Sequence, residues 1–262
     1  MKERMLFVTV LLFAELALAI TSGALPSGWL LRLGMAAALL LPLLFLKHAP
    51  AATPPIRFAL NEGRQLSVLW LLPLFILVTA LTSLAFGEIC RLIGIPLRES
   101  TPLASLPLAI LLDAALPALC EELFCRGALF GVLRPMGRRT AVFGSALLFS
   151  LMHLNLAQLP YAFVAGVLLA LLYEWSGSLL LPMLFHLGNN LVSLSLYFGF
   201  PEEYFFPSLL LTSLLGLLLF LRVACKLPRL SREGWGEPFP LRGFFLSPLL
   251  LWLSIALCIT LL

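Results

Sequence analysis

The chain has 262 residues, 61% of them hydrophobic and 11% charged, with a formal net charge of +4 and a mean hydropathy of +1.05. Soluble domains carry about 45–50% apolar and about 25% charged residues, so this composition excludes an ordinary soluble domain and marks an integral membrane protein. The basic balance needs no nucleic-acid partner, because membrane proteins also gather Lys and Arg in their cytoplasmic loops.

Apolar segments follow one another at 5–21, 29–46, 66–86, 106–133, 140–157, 159–175, 177–198, 205–225 and 243–262. A spanning helix needs about 20 residues and tolerates about 17–25, so most of these are long enough to cross a bilayer. The expected fold class is all-α: one polytopic membrane helix bundle over 1–262, with about 8–9 transmembrane helices by the same length criterion. The first segment follows the basic start MKER but lacks a small-residue cleavage site with a polar approach, so it reads as a retained helix. The pair 140–157 and 159–175 is short and nearly abutting, which leaves its boundaries the least defined. The stretches 49–65, with Pro50, Pro54, Pro55 and Gly63, and 228–242 read as ordinary cytoplasmic loops.

Charge then sets an orientation. With nine spans and a cytoplasmic N-terminus, Lys2, Arg4, Lys47, Arg57, Arg64, Arg134, Arg138, Arg139, Arg222, Lys226, Arg229, Arg232 and Arg242 fall inside, while Arg91 and Arg98 fall outside. The expected location is the cell membrane, multi-pass, with lipid as a partner. The cysteines, Cys90, Cys120, Cys125, Cys225 and Cys258, are scattered and match neither a zinc spacing nor a disulfide framework.

Titratable side chains inside spans are costly, at roughly 2.5–3.5 kcal/mol each on insertion scales, and each asks for a partner or a function. They are Glu15, Asp113, Glu121, Glu122, Arg126, His153 and His186, accompanied by Asn189 and Asn190. Counted from the basic helix ends at about 1.5 Å per residue, Glu121 lies roughly 20 Å from Arg134, His153 roughly 21 Å from Arg139 and His186 roughly 18 Å from Glu174. Three counts from one side of the membrane thus converge on one depth.

Spacing sorts these groups by face. Glu122 and Arg126 stand four apart in the favourable acid-before-base order, and Glu121 is turned about 100° away, free of that arginine. His186 and Asn190 also stand four apart on one face. A carboxylate at low local dielectric with an imidazole nearby can take a proton from water and return it, and a second imidazole with a carboxamide can receive charge developing on a carbonyl oxygen. Hydrolysis without a covalent intermediate needs both halves.

Other readings stay open on the residues alone. Glu122 with Arg126 is also a structural buried pair, His153 a packing histidine, and His186 with Asn190 interhelical hydrogen-bonding glue. Asp113 lies eight residues before Glu121, with Pro117 midway, and lines a polar channel or a proline-loosened turn. Glu15 reads as a helix contact or an end effect. Two histidines and one or two glutamates are a permissible metal set, but no H-E-x-x-H helix is present, and no metal or other cofactor is expected. Intramembrane titratable groups also mark transport paths.

Together the motifs resemble the CPBP family of glutamic intramembrane proteases, the CAAX protease and bacteriocin-processing or Abi family. EExxxR is similar to Glu121-Glu122-Leu123-Phe124-Cys125-Arg126, FxxxH to Phe149-Ser150-Leu151-Met152-His153, and HxxxN to His186-Leu187-Gly188-Asn189-Asn190. Tyr161-Ala162-Phe163, Gly166 and Ser176-Gly177-Ser178 leading to Pro182 add to the resemblance, which covers about residues 105–192. It implies a CAAX-endopeptidase-like core in which Glu121 activates water with His153, His186 and Asn190 stabilise the oxyanion, and Glu122 with Arg126 supports the motif helix. The implied activity is hydrolysis of a peptide bond in a membrane-associated or lipidated peptide or protein. The alternatives are a non-catalytic membrane immunity or regulatory partner and a metal-dependent membrane protease.

Overall fold

The structure is a computed structural model that describes residues 3–4, 6–8, 10, 28–48, 56–59, 63–97, 101–103, 105–153 and 155–225. The expected segment 243–262, the loop at 228–242, Glu15, Cys258 and most of segment 5–21 lie outside the described residues.

Among the described residues the protein is helical, with no strand. Helix α1, Gly28–Leu40, continues into a 3-10 stretch, Leu41–His48. A second 3-10 stretch, Gly63–Leu71, leads into α2, Leu72–Leu92, with Pro73 in the first turn, where its missing N–H costs nothing. The run 106–136, here α3, is helical without a break but changes gauge along its length. Wide π turns occupy Ile110–Ala115 and Leu123–Leu129, on either side of the α-helical Leu116–Glu122. Pro117 follows the first of them and has no N–H for the carbonyl four residues back, a conflict that a widened turn relieves.

Gly137, at φ 115°, ends α3 and turns the chain into α4, Arg138–Met152. The helix runs three residues past the expected segment end at 133, to Met136, with Pro135 in the first turn of a terminal 3-10 stretch. Helix α5, Leu159–Ser176, ends on Gly177 in the left-handed conformation at φ 67°, and α6, Leu180–Tyr197, and α7, Glu202–Ala224, follow. Three stretches, Gln65–Leu92, Leu159–Ser176 and Glu203–Ala224, are long and apolar enough to cross a membrane. This is a helical membrane protein with three such spans among its described residues, against the expected 8–9.

Helix α4 also corrects an expected boundary. It stops at Met152 rather than near 157, so its 15 residues cover roughly 22 Å of a hydrocarbon layer about 30 Å thick. His153 therefore closes a helix inside the bundle. Small residues set the packing around it: a Cβ on Gly166 of α5 would lie 3.0 Å from the Cα of Ala146 on α4. Such close approach of backbones is how helices associate where lipid is as apolar as the side chains.

Charge collects at one end of this bundle. Arg134, at the end of α3, makes a two-pronged pair with Glu174 of α5 at 2.8 and 2.9 Å, and Arg138 of α4 reaches the same carboxylate at 2.7 Å. Arg4 donates to the Val132 carbonyl at 3.2 Å in the same region. The helix ends from which the three depths were counted thus meet physically.

Candidate active site

The second glutamate of the pair anchors the site. Glu122 is fully buried at the last α-helical position before the second π stretch, and its Oε1 accepts from Arg126 Nη1 at 2.8 Å. Arg126, also fully buried, donates through Nη2 to the Gly166 carbonyl at 2.9 Å and rests its guanidinium 4.6 Å from the centroid of the Phe149 ring. These hydrogen bonds and the ring contact offset part of the hydration the buried pair gives up, while Glu122 Oε2 and Arg126 Nε stay without a hydrogen-bond partner.

The same carboxylate holds a histidine from another helix. His186 Nδ1 lies 2.9 Å from Glu122 Oε1, and an ionised carboxylate oxygen accepts only, so Nδ1 carries the proton. The ring's other nitrogen, Nε2, then faces Glu121 Oε2 at 3.7 Å, close but beyond a hydrogen bond. Glu121 Oε2 is buried and takes no hydrogen bond from the protein, while a fifth of its side chain, 20%, remains accessible. The 100° turn between neighbouring residues has this consequence: Glu122 is fully enclosed and ion-paired, while Glu121 stands outside that pair and keeps part of its side chain accessible.

His153 approaches from the end of α4. Its Nδ1 lies 2.8 Å from the Phe149 carbonyl and must donate to it, which leaves Nε2 as an acceptor. No hydrogen bond joins His153 to Glu121. Phe149 stands between the elements: its ring meets His153 at 4.9 Å and His186 at 5.6 Å between centroids, both nearly perpendicular, and Arg126 at its face. Sequence reasoning noted Phe149 only as a motif letter and missed this role. Its spacing of four from His153 was the available signal.

The remaining candidates disperse. Asn190 donates through Nδ2 to the Ala114 carbonyl at 3.4 Å, in the first π stretch, rather than to His186. Asn189 meets Thr79 of α2, its Oδ1 2.9 Å from the hydroxyl. Asp113 pairs with Arg32 of α1 and accepts from the Leu103 backbone N–H at 2.9 Å, while Arg32 also donates to the Thr101 carbonyl at 3.0 Å. That cluster ties the entrance of α3 to α1 and serves structure.

Chemically, the core arrangement offers two adjacent acids, each with one oxygen that takes no hydrogen bond from the protein, two imidazoles with one nitrogen engaged each, and a buried cation paired with Glu122. Among the described residues no three His, Cys, Asp or Glu side chains form a group able to hold a metal ion.

Residues 103–192, roughly a third of the chain, match the family model described as Type II CAAX prenyl endopeptidase Rce1-like. No curated protein and no solved structure matches the chain. The matched stretch begins at the residue that Asp113 holds, takes in both glutamates, Arg126 and both histidines, and ends two residues past Asn190. Residues 103–192 thus carry a match to the Rce1-like family model, that of the type II CAAX prenyl endopeptidases of the CPBP family.

Proposed function

We propose that the protein is an intramembrane endopeptidase in which Glu121 activates water against a peptide carbonyl. The observation that carries this reading is the buried Glu121 Oε2 with no donor in the protein, 3.7 Å from the Nε2 of a histidine fixed at its other nitrogen. A buried acceptor without a partner costs about 1–3 kcal/mol, and water or substrate bound there relieves that cost. The family description supports proteolysis, and its name supports a lipidated C-a-a-X peptide as the substrate class.

In this mechanism, water bound to Glu121 gives a proton to the carboxylate as its oxygen bonds to the carbonyl carbon. His153 Nε2, the bare nitrogen of that ring, shares the proton. The carbonyl oxygen becomes an oxyanion near His186 and Asn190. Donation from His186 Nε2 requires the doubly protonated imidazolium, because Nδ1–H is already engaged with Glu122. Collapse of the tetrahedral adduct breaks the C–N bond, and the proton taken from water goes to the leaving amine.

Lipidated or membrane-tethered peptides reach such a depth without leaving the bilayer. A multi-pass protein with a cytoplasmic N-terminus fits the grouping of Arg4, Arg134 and Arg138 at one end. A non-catalytic regulatory role is the second reading, and the observation in its favour is that His186 is bound to Glu122 rather than free. Mass-spectrometric detection of fragments produced by folded Glu121→Gln protein at the unmodified rate overturns the endopeptidase reading; their loss supports it.

A further inference from the structure

A cavity of about 500 Å³ opens between α2, α6 and the start of α7. Its walls carry Thr79 and Ser83 from α2, Asn189 and Ser193 from α6, and Tyr161 from α5, backed by Phe205 and other apolar side chains. Among the described residues, none that lines it is charged.

Two of the hydroxyls behave unlike other hydroxyls of these helices. Thr79, Thr82, Ser195, Ser208, Thr212 and Ser213 all donate to carbonyls of their own helix, at 2.6 to 2.9 Å in five cases and 3.0 Å in the other. That is the usual way a membrane helix hides a hydroxyl. Ser83 and Ser193 make no such bond and line the cavity, as does Tyr161. Polar groups left open at membrane depth mark a place where a polar guest is accommodated.

The spacing identifies the guest. Thr79 and Ser83 are four residues apart on one wall and Asn189 and Ser193 four apart on the other, about 6 Å along each helix axis. An extended peptide repeats its N–H and C=O groups along one edge every two residues, about 6.6–6.8 Å. Hydroxyls and carboxamides both donate and accept, matching neutral peptide groups, whereas an anionic headgroup calls for cations that this lining lacks. Asn189 of this lining follows the site histidine His186 by three residues on α6, and Tyr161 belongs to α5, whose Gly166 carbonyl accepts from Arg126.

We infer that this cavity is the binding cleft for an extended segment of the peptide substrate, with Ser83, Ser193 and the Thr79–Asn189 pair hydrogen-bonding its backbone beside the scissile bond. The inference rests on the endopeptidase reading for the word substrate, but peptide binding is measurable without hydrolysis. A backbone entering the bilayer must have its polar groups satisfied, and these rungs satisfy them in a cleft with one apolar wall.

The test uses the full chain in proteoliposomes, in the Glu121→Gln background, with Ser83→Cys or Ser193→Cys introduced. A water-soluble trimethylammonium methanethiosulfonate labels the new thiol, read by peptide mass mapping, with the fully buried Cys120 and Cys125 as unreactive references. Both positions are expected to react, and an S-farnesylated peptide ending in a C-a-a-X sequence is expected to protect both, whereas farnesol alone protects neither. Thiols that do not react, peptide that gives no protection, or farnesol that protects as well as the peptide each overturn the cleft. In the otherwise unmodified chain, Ser83→Leu and Ser193→Leu are expected to raise KM about tenfold with kcat held within about twofold, the loss of one backbone hydrogen bond each. An unchanged KM also overturns it. Protection without hydrolysis by the unmodified chain refutes the protease and leaves the cleft standing; hydrolysis without protection does the reverse.

Discussion

His186 hangs from Glu122: a single proton on Nδ1 spans 2.9 Å to Oε1, and this bond aims the opposite nitrogen at Glu121. The two glutamates, adjacent in sequence, thereby act on opposite sides of one imidazole. Glu122 is held in the ion pair with Arg126 and Glu121 is not, so their substitutions separate. Glu122→Gln keeps the shape but removes the charge that Arg126 and His186 share, and breaking a buried pair of this kind costs about 3–5 kcal/mol. Thermal unfolding in detergent is expected to show a marked loss of stability for Glu122→Gln and little for Glu121→Gln.

Gly166 serves the site twice, by letting α5 approach α4 and by accepting from Arg126. A Cβ there meets Ala146 backbone at 3.0 Å, which cannot swing aside as a side chain does. Gly166→Ala is expected to lose about 1–3 kcal/mol of stability, and Gly166→Val more, by the same overpacking. Unfolding midpoints of the purified variants measure this.

Asp113 is tied to Arg32 and to the Leu103 backbone, and a structural role for it has its own test. Its pair with Arg32 and its bond from the Leu103 N–H remain partly accessible, with side-chain exposures of 16% and 23% for the two ions. Asp113→Asn is expected to cost about 1 kcal/mol, discounted for that exposure, while peptide cleavage at saturating substrate stays within about twofold. A loss of kcat in folded protein returns Asp113 to the mechanism.

Metal dependence has its own measurement. Activity of purified protein is expected to survive exhaustive chelation, and elemental analysis is expected to find no stoichiometric transition metal. Activity lost on chelation and restored by one ion selects the metalloprotease alternative, with His153 and His186 as the first ligands to substitute.

What could be read from the sequence followed from scarcity. Titratable residues are so rare in apolar segments that Glu121, Glu122, Arg126, His153 and His186 stood out at once, and the four-residue spacing was enough to pair Glu122 with Arg126. Contacts across long separations were not legible. Arg32 and Asp113 are 81 residues apart and Thr79 and Asn189 are 110 apart, and no local pattern links them. The spacing that put Asn190 on a face with His186 was right for a helix but silent on its partner, which the π turn around Ala114 supplies. That turn was hidden for the same reason: hydrophobic periodicity does not distinguish a widened turn inside a continuous helix, and Pro117 was its one visible sign.

The transport alternative makes a clean contrast. Sealed proteoliposomes carrying the protein are expected to show no flux coupled to a proton gradient. Flux that disappears with Glu121→Gln supports a relay instead.

The central claim is that the Glu121 carboxylate, not its packing, carries the chemistry. The direct measurement compares unmodified and Glu121→Gln protein of matched folded fraction, incubated with an S-farnesylated C-a-a-X peptide and read by mass spectrometry. Release of the terminal fragment by the first, with at least about a thousandfold less from the second, is the expected result for loss of an essential base acting on water. Equal release by both contradicts the account.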